Sequence, residues 1–223
     1  MAGQDSRSLV KRRVLIVDDH PVVRRGLAEV LNEAADLEAC GEAANVPEAL
    51  RQVEATQPHV VIIDLTLGGE NGIELIDYIK SRWPSIKMLV SSAHDEQTFA
   101  GRVLRAGAMG FISKAEQLPQ IVEAVHQVLS GQVYLSPRMA TCLLQRAAVG
   151  EPLDQDPVQT LSDRELQVFG MVGEGRNTRE IARQLGISPK TVESHRKTIK
   201  TKLNIGSGAQ LTHRAFQWTQ ENR

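Results

Sequence analysis

Cysteine is nearly absent from the 223-residue chain: only Cys40 and Cys142 occur, far apart and outside any metal-ligand spacing. That excludes a disulfide framework and a cysteine-built metal site, and it fits a reducing compartment. Long apolar runs are lacking as well. Solid runs such as Val60 to Ile63 span four residues, against the roughly 20 that a membrane helix needs. The first residues, MAGQDSRSLVKRR, are basic but have no long apolar core behind them, so no secretory leader is expected. Nor does one sign of charge dominate: 26 Lys and Arg face 27 Asp and Glu, for a net charge of −1. A uniformly basic chain that coats nucleic acid is excluded. With 41% hydrophobic and 24% charged residues, the composition is that of a globular rather than a disordered chain. A soluble, cytoplasmic protein is expected.

The near-neutral total hides a division. Residues 1–135 carry a net −5, residues 136–159 a net −1 and residues 160–223 a net +5. From Ala147 to Thr160, Gly150, Pro152 and Pro157 stand among Asp, Gln and Glu without a sustained apolar period, which reads as a linker. Two domains follow, 1–135 and 160–223, joined by 136–159. Their opposite charges predict mutual attraction at rest.

The first region alternates short apolar runs with amphipathic stretches. Arg13 to Val17, Leu37 to Ala43, His59 to Ile63, Ile86 to Val90 and Met109 to Ile112 read as strands. Pro21 to Ala35, Pro47 to Glu54, Gly72 to Trp83, Gln97 to Arg105 and Leu118 to Leu129 read as helices. Five βα units with solid apolar strands predict an α/β fold, a doubly wound five-stranded parallel sheet with helices on both faces. The carboxyl ends of such strands converge on one crevice. Here they supply Asp18 and Asp19, Asp64, Ser92 and Lys114. Three crowded carboxylates repel unless a cation sits among them, and oxygen donors suit Mg²⁺. Ser92 and Lys114 add donors for phosphoryl oxygens, and Asp64 reads as a nucleophile that forms an acyl phosphate. Taken singly, a strand-end Asp is usually a helix cap and a strand-end Lys is usually solvated. Together they make a site.

These residues resemble a response-regulator receiver domain. The matching pieces are Val17-Asp18-Asp19-His20-Pro21, Asp64 with Asn71-Gly72, Ser92-Ala93-His94-Asp95, Gly107-Ala108 and Gly110-Phe111-Ile112-Ser113-Lys114. The resemblance implies that Asp64 accepts phosphate from a sensor histidine kinase. It implies that Asp18, Asp19, Asp64 and the backbone carbonyl of Thr66 hold Mg²⁺. Ser92 and Phe111 become a switch pair, the hydroxyl swinging to the phosphate and the ring following inward, with Lys114 on the phosphate. Two positions depart from the pattern. Gly68, followed by Gly69, stands where many relatives have Pro, which predicts a looser loop beside the phosphate. Ala115 follows Lys114 where many have Pro.

The basic tail reads as small and all-α, with four helices. Ser162 with Glu165, and Asn177 with Glu180, are capping boxes, and Ser188-Pro189 starts a third helix. The connection Leu185-Gly186-Ile187-Ser188 is that of a helix-turn-helix. The third helix sets an apolar seam of Val192, Ile199 and Leu203 apart from a cationic, hydrogen-bonding face. A DNA major groove needs such a face, though a merely solvated helix has one too. Leu161-Ser-Asp-Arg-Glu165, Glu180-Ile-Ala182 and Leu185 to His195 resemble the NarL/FixJ (LuxR-type) helix-turn-helix. By that resemblance Glu193, Ser194 and Lys197 face base edges of double-stranded promoter DNA. Lys190, Thr191, His195, Arg196 and Lys200 serve phosphates or packing. Glu193 either accepts from a cytosine amino group or pairs with Lys197 four residues on. Leu211, Ala215 and Trp218 stripe the fourth helix; core packing explains the spacing, and the family analogy makes it a homodimer contact.

Together the resemblances imply a phosphorylation-dependent DNA-binding transcriptional regulator of a two-component system, not an enzyme. At rest the receiver is expected to mask the third helix of the tail or to disfavour dimers. Two alternatives stay open: a regulator controlled by a partner or ligand without phosphate, and an aspartyl-phosphate phosphatase.

Overall fold

Strand β1 (Arg12–Val17) is apolar from Val14 onward because it is an inner strand of a sheet with both faces covered. The coordinates are a computed structural model and describe residues 10–68, 70–93, 96–115, 118–148 and 157–221. Gly69, His94, Asp95, Gly150 and Pro152, which enter the sequence argument, lie outside the described residues. After β1 come α1 (Pro21–Glu33), β2 (Leu37–Ala43), α2 (Val46–Thr56) and β3 (Val60–Ile63). A short antiparallel hairpin, β4 (Thr66–Leu67) and β5 (Glu70–Asn71), leads into α3 (Gly72–Arg82). Then follow β6 (Lys87–Ser92), α4 (Glu96–Ala106), β7 (Gly110–Ser113) and α5 (Leu118–Leu129).

The five long strands form one parallel sheet in the order β2-β1-β3-β6-β7. Side-chain alternation divides its core in two. Leu15, Val17, Val61, Ile63, Met88, Val90 and Phe111 pack with residues of α2, α3 and α4. Val14, Ile16, Val60, Ile62, Leu89 and Ile112 pack with residues of α1 and α5. The strand order reverses direction at β1, so the ends of β1 and β3 border a crevice at the carboxyl edge.

Residues 136–159, read as a linker, contain a helix that the sequence reading did not name: α6 (Pro137–Ala148). Ser136 Oγ accepts from the Met139 N–H, and Met139 is buried. A 3₁₀ turn, Pro157–Thr160, precedes the second helical region. There α7 (Asp163–Gly173), α8 (Thr178–Gln184), α9 (Pro189–Lys202) and α10 (Gly208–Glu221) follow. Both expected capping boxes are formed, and Ser188 accepts from the Thr191 N–H. The stripe on α10 faces inward. Leu211, Ala215 and Trp218 are buried, and the Trp218 ring lies 5.6 Å from that of Phe169 on α7. These side chains pack in this chain's own core, the packing that the helical spacing explains. Among the described residues, no helix is long and apolar enough to cross a membrane.

Candidate functional site

The crevice gathers the expected acids. Asp18 and Asp19 follow β1, Asp64 follows β3, and Lys114 follows β7. Lys114 Nζ lies 2.6 Å from Asp64 Oδ2 and 2.7 Å from Asp18 Oδ2. The Asp64 side chain is only 4% exposed and that of Lys114 16%. Burial pushes the Asp64 carboxyl up to about 6, and the attraction of Lys114 offsets only part of that rise. Burial alone would lower the Lys114 ammonium, but Asp64 and Asp18 more than reverse it and its pKa is raised.

Backbone groups hold the cluster in place. The His20 N–H donates to Asp18 Oδ1 (2.8 Å), and the Asp64 N–H donates to the Val17 carbonyl (2.8 Å). The Thr66 N–H supports the Asp64 carboxylate. The Gly68 N–H donates to Asp19 Oδ2 at 3.1 Å, with Gly68 at φ +58. Proline could supply neither that donor nor that φ. The glycine therefore ties the loop to the site instead of loosening it. Gly72 serves by size: a Cβ there would stand 2.3 Å from the Asp64 carbonyl oxygen.

The donor set fits a hard divalent cation. Ligand atoms of Asp18, Asp19, His20 and Asp64 all lie within 4.8 Å of one another. Asp19 Oδ1 is buried and makes no hydrogen bond; His20 Nδ1 stands 2.7 Å away, off the line such a bond needs. A single ammonium against three carboxylates leaves local negative charge to be balanced.

Ser92 and Phe111 are both fully buried. Phe111 belongs to the same buried core cluster as Phe99 and Val103 of α4. Over the acids lies a cavity of about 870 Å³ whose far wall belongs to the other region. Leu166, Gln167, Gly170 and Met171 of α7, Arg183 of α8 and Trp218 of α10 line it. The surface turned toward the pocket is thus that of α7 and α10. Arg183 and Gln184 of α8 join that surface, and among the described residues α9 is not part of the lining.

On α9, Lys190, Thr191, Glu193, Ser194 and Lys197 are exposed, while Val192 and Ile199 are buried. Glu193 Oε1 accepts from Thr178 Oγ1 of α8 (2.6 Å), and among the described residues no ion pair joins it to Lys197. His195, Arg196 and Lys200 are half-buried. Burial and then the Arg164 guanidinium push the His195 imidazole down. That shift favours its uncharged form. Lys202, the last residue of α9, is turned toward α7: its Nζ donates to Glu165 Oε2 (2.7 Å) and the Thr160 carbonyl (3.2 Å). Sequence reasoning missed Arg164, whose guanidinium donates to the Leu185 carbonyl (2.6 Å) and braces the turn before α9.

An acid pocket with a paired lysine, on a five-stranded parallel sheet joined to a capped helix-turn-helix, defines the class of two-part switch proteins. Comparison with known proteins agrees. A family model described as the response regulator receiver domain matches residues 14–126, and one described as bacterial regulatory proteins, luxR family, matches residues 159–215. The chain belongs to the response regulators with a LuxR-type helix-turn-helix. It is 39% identical to the transcriptional activator protein ExaE of Pseudomonas putida, over 92% of this chain and 95% of that one. To the response regulator UvrY of Escherichia coli strain K12 it is 33% identical, over 92% and 93%. Among solved structures it resembles Salmonella enterica RcsB bound to promoter rprA with the phosphomimetic BeF₃⁻. That match has a TM-score of 0.60 and 26% identity, and covers 91% of this chain and 97% of that one.

Proposed function

We propose that this chain is a two-component transcriptional regulator that accepts phosphate on Asp64 from a histidine kinase and binds double-stranded DNA through α9, as a homodimer when phosphorylated. The observation that carries the reading is the buried Asp64 carboxylate, held between Lys114 and the Asp18–Asp19 pair in a chain whose α9 presents exposed Lys190, Ser194 and Lys197.

The Asp64 carboxylate attacks phosphorus, a new P–O bond forms, and the donor's bond to phosphorus breaks. The donor histidine leaves as imidazole, its nitrogen keeping the electron pair and taking up a proton. Asp18, Asp19, Asp64 and the Thr66 carbonyl would hold Mg²⁺, which when bound offsets charge on the phosphoryl oxygens. Lys114, now shared by two carboxylates, turns its ammonium to a phosphoryl oxygen, and the Ser92 hydroxyl donates to another. The product adds roughly two negative charges to the crevice, enough to bias a two-state contact with the neighbouring helices.

On DNA, Lys197 and Ser194 face base edges, while Lys190, Thr191, Arg196 and Lys200 lie toward phosphates. Glu193, held by Thr178 of α8, shares the exposed stretch of α9 with Ser194 and Lys197. Treatment with acetyl phosphate and Mg²⁺ tests the acceptor. Mass spectrometry is expected to find one phosphoryl adduct, on Asp64, and none in Asp64→Asn; an unmodified wild type would favour control by a partner or ligand.

A further inference from the structure

The far wall of the cavity is fastened by an ion pair. Arg102 of α4 and Asp163, the first residue of α7, meet at 2.8 Å, and the Arg102 side chain is only 9% exposed. The same guanidinium nitrogen donates to the Leu161 carbonyl at 2.9 Å. Asp163 Oδ2 also faces Asn71 Nδ2 at 3.5 Å. Asn71 belongs to the hairpin beside the acceptor and caps α3. One carboxylate of the helical region is therefore clasped by α4 and by the loop next to Asp64.

While this clasp is shut, the cavity of about 870 Å³ that holds Asp64 is walled on its far side by α7, α8 and α10. That volume is of the size that takes small molecules, roughly 300–1,000 Å³. A kinase carries its phosphohistidine on a folded domain many times larger. We infer that the Arg102–Asp163 pair sets the donor selectivity of Asp64: with the pair closed, small acyl phosphates reach the carboxylate, and a protein-borne phosphohistidine must wait for it to open. The inference rests on Asp64 being the acceptor. From an acyl phosphate, the P–O bond to the acyl oxygen breaks as the P–O bond to Asp64 forms, and a carboxylate departs. From phosphohistidine a P–N bond breaks instead. The transferred group is the same, so a difference between donors reports access and not chemistry.

The test follows phosphorylation of the full chain by two donors with Mg²⁺ present. One is acetyl phosphate; the other is a purified, autophosphorylated histidine kinase chosen for measurable transfer to the wild type. Arg102→Ala is expected to speed transfer from the kinase about tenfold, the ordinary size of a coupling between sites, and transfer from acetyl phosphate by less than about twofold. The charge-exchanged double variant, Arg102→Asp with Asp163→Arg, is expected to return the kinase rate toward that of the wild type. The acetyl phosphate rate shows that each variant keeps a folded pocket. Equal change with both donors, or no change with the kinase, overturns the inference and leaves Asp64 as acceptor untouched. Failure of both donors to label wild-type Asp64 overturns the underlying reading, and this inference with it.

Discussion

The acid crevice and the outer face of α9 both carry charge, in opposite physical settings. In the crevice, buried Asp18 and Asp64 and half-buried Lys114 lie within 2.7 Å of a counter-charge, and burial lifts the Asp64 carboxyl to about 6. On α9, Lys190 and Lys197 stand in water. Buried charges are costly, geometrically fixed and suited to holding a transferred group. Exposed ones stay mobile and gain affinity by releasing counterions from DNA. The contact between the two regions obeys neither pattern. Net charges of −5 and +5 predict attraction between an acidic front and a basic tail. The pair that joins them takes its cation, Arg102, from the acidic side and its anion, Asp163, from the basic one. Local placement outweighs net charge at contact distance.

Removing the lysine breaks the comparison most strongly. Lys114→Ala leaves two buried carboxylates facing each other; it is expected to cost about 3–5 kcal/mol by chemical denaturation without Mg²⁺. Added Mg²⁺ is expected to restore part of that loss. Gly72→Ala forces a methyl group against the Asp64 backbone. Its expected cost is about 1–3 kcal/mol, read as a lower melting temperature.

The recognition face gives smaller effects. Lys197→Ala is expected to weaken specific DNA binding by about 1–3 kcal/mol. Lys202→Ala, which breaks the bond to Glu165, is expected to destabilise the start of α7 and leave the salt dependence of DNA binding unchanged. The smallest effect is a pH dependence. The folded state holds the His195 imidazole below its ordinary 6.5, so the unfolded chain takes up the proton first. Stability is expected to be intact above pH 6.5 and to decline as pH falls through and below it. His195→Gln is expected to flatten that part of the pH–stability curve.

Much of this was legible in sequence because strands announce themselves by apolar runs and active groups stand at their ends. Asp18, Asp19, Asp64, Ser92 and Lys114 required no more than that. The caps at Ser162, Asn177 and Ser188 were equally plain. Helix α6 was legible and passed over: Ser136-Pro137 is the same opening pair as Ser188-Pro189. Other features leave no local trace. Arg102 and Asp163 are 61 positions apart, and no periodicity links them. Glu193 takes its partner from the preceding helix, where a one-helix reading looks only four residues along. The α10 stripe told that one face is covered, not by what. Helical spacing is the same whether the cover is a second chain or α7.

The central claim is that phosphate on Asp64 changes what α9 does. Its most direct test is DNA affinity at one fixed salt concentration, on a duplex selected by the protein from random sequence, before and after treatment with acetyl phosphate and Mg²⁺. Wild-type affinity is expected to rise by about tenfold, within the range of ordinary coupling between sites, while Asp64→Asn stays at its starting value. An equal response from both proteins, or none from a wild type shown to carry the adduct, would contradict the claim.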